Sequence, residues 1–144
     1  MRVLLVDDDD GFRDTLRSVL CRPGRAVEVD EASDGQAGIR LVARRRPDAV
    51  VMDITMPGMS GLEATRRLKA SWPALPVIVL TVHDEPVYER TARAAGADAF
   101  LLKKTAATTL WPALERLASS ESARGDAGRD LGKSPDWRMR WRSI

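Results

Sequence analysis

Five short aliphatic runs, separated by stretches of helical periodicity, constrain this chain more than any other feature. The runs are Arg2–Val6, Ala26–Asp30, Ala49–Met52, Val77–Leu80 and Ala99–Leu102. All are short and mostly β-branched or aliphatic, as suits strands covered on both faces. Between them, Phe12, Leu16, Val19 and Leu20 fall on one helical face, and Gly38, Ile39 and Val42 on a second. Leu62, Thr65 and Leu68 line a third, Val87, Thr91 and Ala94–Ala95 a fourth, and Leu110, Leu114 and Leu117 a last. Pro23-Gly24, Pro47, Pro57-Gly58, Pro73, Pro76 and Gly96 stand near the proposed element ends, where chain breaks belong. Strict alternation of strand and helix implies an α/β fold: a doubly wound, five-stranded parallel sheet with right-handed crossovers and helices on both faces. The expected strand order is 2-1-3-4-5. In such a sheet the site lies beyond the carboxyl ends of the strands, at the switch point between strands 1 and 3.

That rule says where to look. Directly after the first, third, fourth and fifth runs stand Asp7-Asp8, Asp53, Thr81 and Lys103. Each polar group follows an apolar run, and all four would meet at one end of the sheet. A solvated acidic turn would account for the Asp7–Asp10 run alone, and a strand-end cap for Thr81, but not for the coincidence. Three converging carboxylates repel one another unless a cation neutralises them. A hard divalent ion such as Mg2+ takes oxygen ligands and keeps several waters. Asp8 and Asp53 could bind it directly, Asp7 through water, and the Thr55 carbonyl could complete the set. Thr81 would offer a hydroxyl and Lys103 a positive charge to a phosphoryl group in transfer, a reaction that needs positioning and charge neutralisation. Asp53 is the expected nucleophile, exposed by the turn Thr55-Met56-Pro57-Gly58 and giving an acyl phosphate.

The ordered stretches VLLVDD, VVMDITMPGMSGLE, VIVLTVHD and GADAFLLKK resemble the response-regulator receiver family over residues 1–118. DITMPGMSG, VIVLTVHDE and GADAFLLK look most like the subgroup that carries a LuxR-type helix-turn-helix output. The resemblance implies a flavodoxin-like receiver fold, Asp53 as phospho-acceptor, Asp7 and Asp8 as the acidic pair with Mg2+, and Thr81 and Lys103 as phosphoryl sensors. It also implies Phe100 as the switch aromatic, although an apolar strand residue needs no switch role and could be ordinary core. A sensor histidine kinase would be the donor, and a homodimer through the last helices is an allowed arrangement. Such a domain is a signalling acceptor within transcriptional control, whose only catalysis is its own phosphoryl acceptance and hydrolysis.

Some residues depart from the family pattern. Val82 stands where a smaller residue is usual, and Lys104 where the subgroup often has Asp. Thr55 and His83 occupy positions that tune dephosphorylation in the family. Pro112 falls in the last helix, where it is tolerated if Thr108 or Thr109 caps that helix and disruptive further in. His83, the single histidine, is read as a solvated loop residue, Cys21 as buried packing, and Trp72 and Trp111 as cover for the core.

Charge and composition bound the alternatives. Residues 1–118 hold equal numbers of basic and acidic side chains, so the formal charge of +2 belongs to the tail. No direct DNA binding is expected from a neutral body. One cysteine permits no intrachain disulfide, consistent with a reducing cytoplasm. The start MRVLLVDDDD is too soon acidic for a signal peptide, and no run nears the roughly 18 apolar residues of a membrane span. Residues 119–144 are polar and rich in Gly and Arg, so disorder is the default, with no output domain. Their end, Trp137-Arg138-Met139-Arg140-Trp141-Arg142, could touch nucleic acid, membrane or a partner. A truncated or frame-shifted regulator would look the same. Two other functions fit less well. A haloacid-dehalogenase-like phosphatase would use Asp8-Asp9-Asp10-Gly11 as its Asp-x-Asp motif, but would leave Asp53 idle and lacks a downstream acidic motif. A degenerate receiver that only binds proteins would not need the full acidic, Thr and Lys set.

Overall fold

The computed structural model describes residues 1–126. The sheet is parallel throughout, in the order β2-β1-β3-β4-β5. Its strands are β1 (Arg2–Val6), β2 (Glu28–Ala32), β3 (Ala49–Asp53), β4 (Val77–Thr81) and β5 (Ala99–Leu102). The helices between and after them are α1 (Asp10–Leu20), α2 (Gly35–Arg45), α3 (Gly61–Ser71), α4 (Pro86–Ala94) and α5 (Ala106–Asp126), with a short 3-10 turn at Lys103–Thr105 leading into α5. The expected fold class and strand order are thus found.

Period-two alternation sorts each strand's side chains between two cores. Val3, Leu5, Val51, Ile78 and Leu80 face α1 and α5, packing on Leu16, Leu20, Leu110 and Leu114. Leu4, Val6, Val50, Met52, Val77 and Val79 face the other way, onto Val42, Ala64, Leu68 and Ala92 of α2, α3 and α4. The central strands β3 and β4 are buried along their whole length, as their unbroken aliphatic sequence requires. Helix starts are fixed locally. Asp9 accepts from Phe12 N at 3.0 Å, Asp34 from Ala37 N at 2.8 Å and Ser60 from Glu63 N at 3.2 Å, each satisfying an orphan amide of a first turn. Pro86 opens α4, where a missing N–H costs nothing.

Several expectations are corrected. The second strand begins at Glu28, two residues later than its apolar residues suggest, and it is a half-exposed edge rather than a buried strand. Its acids are met from β1, α1 and α2: Arg2 reaches Glu28 and Asp30, Arg45 reaches Asp30, and Arg13 and Arg17 both reach Glu31. In α4 the buried residue is Ala92, backed by Tyr88 against the core, while Val87 is 51% exposed. Cys21 is exposed, because it caps the end of α1 instead of lying within it. Pro112 is inside α5, since that helix starts at Ala106, and the hydroxyls of Thr108 and Thr109 both donate back to the Thr105 carbonyl at 3.0 Å. Helix α5 runs through Asp126. The Trp137–Arg142 segment lies outside the described residues. Trp72 and Trp111 each pack half-buried against a core, as expected.

Candidate functional site

Strand register builds the site as a staircase. Val6 pairs with Met52, so the next residues, Asp7 and Asp53, stand side by side at the ends of β1 and β3. Asp53 pairs with Leu80, which places Thr81 one step beyond it on β4. Thr81 pairs with Leu102, which places Lys103 one step further, after β5. The sheet thus brings to one edge the groups that sequence separates by tens of residues.

Three carboxylates converge there. Oxygens of Asp7, Asp8 and Asp53 lie within 4.8 Å of one another, with Asp7 and Asp53 buried and Asp8 exposed. Lys103 spans the buried pair, its Nζ 2.7 Å from Asp7 Oδ2 and 3.4 Å from Asp53 Oδ2. The shorter contact is an ion pair without hydrogen-bond alignment, so Asp7 Oδ2 is a buried oxygen with no hydrogen bond. Asp7 Oδ1 accepts from Asp9 N at 2.9 Å, and Asp53 Oδ1 accepts weakly from Thr55 N at 3.4 Å. The ring of Phe12 lies under the Lys103 ammonium, 4.6 Å from its centre, and holds the lysine from the α1 side.

Burial pushes the Asp53 carboxyl up to about 6, and the charge of Asp7 adds to the rise against the opposing pull of Lys103 and the Thr55 amide. Burial works against the charge on Lys103 too, but its contacts with Asp7 and Asp53 outweigh it and raise that group above the ordinary lysine range. One cation therefore shares two buried carboxylates, and the acidic edge stays under-neutralised. An all-oxygen set of three carboxylates with one lysine between the buried pair fits a hard divalent cation such as Mg2+.

The remaining expected residues fall around this core. Thr81 is buried, and its Oγ1 accepts from His83 N at 3.0 Å. Phe100 packs half-buried with the α2–α4 core, the face that Thr81 also takes by alternation along β4. Val82 is 71% exposed, so its extra bulk sits on the rim in solvent. His83 is not simply solvated: its ring stacks on Tyr88 with centroids 4.3 Å apart and planes 8° from parallel. Lys104 is exposed, with Asp84 at 4.0 Å.

Other residues that shape the site had no site role assigned to them from the sequence. Gly61, at the start of α3, donates from its N to the Ile54 carbonyl at 2.9 Å. A Cβ at Gly61 would sit 1.7 Å from the Asp53 carbonyl oxygen, so only glycine lets α3 pack this close to the end of β3. Arg13 bonds to the Asp7 carbonyl and to Asp10. Asp9 and Asp10 are thereby committed, one to the helix cap and one to Arg13. An Asp-x-Asp phosphatase motif built on Asp8 would need Asp10 at the site.

Comparison with known proteins gives a consistent picture. The response regulator receiver domain model matches residues 3–115. Response regulator MprA of Mycobacterium leprae (strain TN) is 47% identical over 104 residues, 72% of this chain and 44% of that protein. The chain therefore spans about half the length of the curated relatives it matches. Among solved structures, a two-component response regulator of the LuxR family from Aurantimonas sp. SI85-9A1 superposes with a TM-score of 0.75 at 37% identity, covering 82% of this chain and 85% of that one. The chemotaxis protein CheY4 of Vibrio cholerae superposes with a TM-score of 0.73 at 29% identity, covering 81% and 97%.

Proposed function

We propose that this chain, which belongs to the response regulator receiver domain family of two-component systems, takes a phosphoryl group onto Asp53 and passes the event on through its surface. The observation that carries this reading is Lys103 lying against both Asp7 and Asp53, inside a cluster of three carboxylates at the switch point of the sheet. An Asp53 carboxylate oxygen attacks the phosphorus of a phosphohistidine on a sensor histidine kinase. The P–N bond breaks as the O–P bond forms, and its electron pair returns to the imidazole. Asp53 must be ionised to attack, which its carboxyl, at about 6, largely is at neutral pH. Asp7, Asp8 and Asp53 would hold Mg2+, with the Thr55 carbonyl completing the protein's ligands. Bound there, the ion would neutralise the phosphoryl oxygens in transfer. Lys103 supplies a second positive charge and the Thr81 hydroxyl a donor.

Phosphorylation adds negative charge and acceptor oxygens beside Thr81 and Lys103. Drawing Thr81 toward them would vacate space on the face it shares with Phe100, and rotation of Phe100 would reshape the surface of α4, β5 and α5. That surface is where a partner or second copy would read the state. The likeness to a two-component response regulator of the LuxR family supports a role in transcriptional signalling. No helix among the described residues is long and apolar enough to cross a membrane.

The direct test is incubation with acetyl phosphate and Mg2+, followed by borohydride reduction and peptide mapping. A stoichiometric label reduced at residue 53 supports the reading, and a label elsewhere or none sinks it. Asp8→Ala, which removes a direct charged ligand, is expected to raise the Mg2+ dissociation constant at least about tenfold. Calorimetric titration of the unphosphorylated protein measures it, and unchanged affinity would take Asp8 out of the ligand set.

A further inference from the structure

We propose that Arg13 is a positioning residue for the cation site, fixing the peptide between Asp7 and Asp8 so that both carboxylates face the same volume. The inference rests on the cation-site reading above. Arg13 lies in the first turn of α1 and touches none of the reacting groups. Its guanidinium spans three segments of chain. Nη1 donates to the Asp7 carbonyl, Nη2 to the Asp10 carboxylate, and Nε to Glu31 Oε1 on β2 at 3.1 Å. The side chain is only 13% exposed, so this is no solvated surface pair.

The target of Nη1 is what matters. The Asp7 carbonyl and the Asp8 amide share one rigid plane. Holding that carbonyl sets the rotation of the plane, and with it the direction in which the Asp8 side chain leaves the backbone. The other polar groups of Asp7 are already placed. Its N donates to the Ala32 carbonyl at 3.1 Å, Oδ1 accepts from Asp9 N at 2.9 Å, and Oδ2 faces Lys103 at 2.7 Å. Arg13 supplies the remaining constraint, and Glu31 orients Arg13 in turn, steadied from its other oxygen by Arg17. Contact with Arg17, then with Arg13, holds the Glu31 carboxyl below its ordinary range against the opposing effect of burial, so it stays charged for this task. Three acceptors at fixed angles call for the planar fork of an arginine, whereas a lysine ammonium carries its three donors on one atom and cannot span all three positions.

The test uses the full unphosphorylated chain and Mg2+ alone, titrated by calorimetry, with folding checked by circular dichroism in EDTA. Arg13→Met is expected to weaken Mg2+ binding about tenfold, the lower end of the effect of removing an outer partner of a metal ligand. Arg13→Lys should recover little of this, and Glu31→Gln should weaken binding a few-fold. A folded Arg13→Met protein with wild-type affinity would overturn the proposal. Full rescue by Arg13→Lys would overturn it too, by showing that charge suffices. If Arg13→Met does not fold, Glu31→Gln decides, and unchanged affinity there counts against it. Asp8→Ala run alongside separates the two levels. If Asp8→Ala weakens binding and Arg13→Met does not, only the Arg13 role falls; if neither does, the site reading fails and takes this proposal with it.

Discussion

Asp53→Asn is expected to abolish phosphorylation while making the cation-free protein more stable, a gain of about 1–2 kcal/mol at pH 7.5. The first half follows from the poor nucleophilicity of an amide. The second follows from the cost of burying a charged Asp53 beside Asp7. Its carboxyl rises from 3.8 in the unfolded chain to about 6 in the fold, from burial first and Asp7 second. Below the unfolded value both states hold the proton and Asp53 imposes no penalty. Between the two values the folded state retains a proton that the unfolded state has lost, so stability falls as pH rises through this window. Above about pH 6 the full penalty applies. A shift of this size corresponds to at most about 3 kcal/mol. That figure already includes the opposing pull of Lys103, and a buried Asn amide carries its own desolvation cost, hence the smaller figure. Urea unfolding in EDTA at pH 5 and pH 7.5 would measure the effect. The advantage of the variant should shrink toward pH 5 and with added Mg2+. A variant no more stable than wild type at pH 7.5 would show that the acidic edge carries no such cost.

The other large effect lies at the opposite end of the sheet. Asp98→Ala is expected to destabilise the protein by about 3–5 kcal/mol, the range for breaking a buried ion pair from one side. Asp98 is 5% exposed, and its Oδ2 accepts from Lys69 Nζ and from Val77 N, both at 2.8 Å. Lys69 Nζ also donates to the Leu75 carbonyl at 2.9 Å. One carboxylate thus joins α3 to the beginnings of β4 and β5. Truncation leaves the Val77 amide without this acceptor and the Lys69 ammonium buried without this charge. Against a typical total of about 5–15 kcal/mol, this is enough to lower the urea midpoint sharply. Asp98→Asn keeps an acceptor and should lose roughly half as much. Mg2+ affinity of the folded fraction should not change, because the site lies at the other strand ends. A loss under about 1 kcal/mol for Asp98→Ala would mean that solvent reaches this pair.

Asp98 and Arg13 also show where sequence reasoning stops. The strands are legible because aliphatic runs bounded by Gly and Pro have few other uses. The acidic, Thr and Lys residues are legible because topology gives meaning to the position just after each strand. Roles for Arg13 and Asp98 depend on partners 18 and 29 residues away, which no local pattern reveals. The edge strand is misplaced by its sequence because Val27 and Val29 suggest a buried run, whereas the register continues through Glu31 and Ala32, with arginines meeting its acids. The face of α4 is misjudged because periodicity weighs Val87 above Ala92. The small residue takes the place against the sheet, and the valine is left in solvent. Cys21 turns outward because the helix ends before it.

The contact between Gly61 and the Asp53 carbonyl bears on how such a domain could be altered by selection or by engineering. An aspartate at a strand end is usually thought of as a side chain, interchangeable with the rest of the strand held constant. Here its main chain is also the seat of a helix, with no atom to spare between them. Changes to the chemistry at position 53 can be tried one residue at a time, since the side chain is free of that contact. Changes that move the strand end, or graft this aspartate onto another sheet, must carry the adjoining loop and the first turn of α3 with them. The unit to be carried over together is therefore the whole stretch from Asp53 to Gly61, not Asp53 alone.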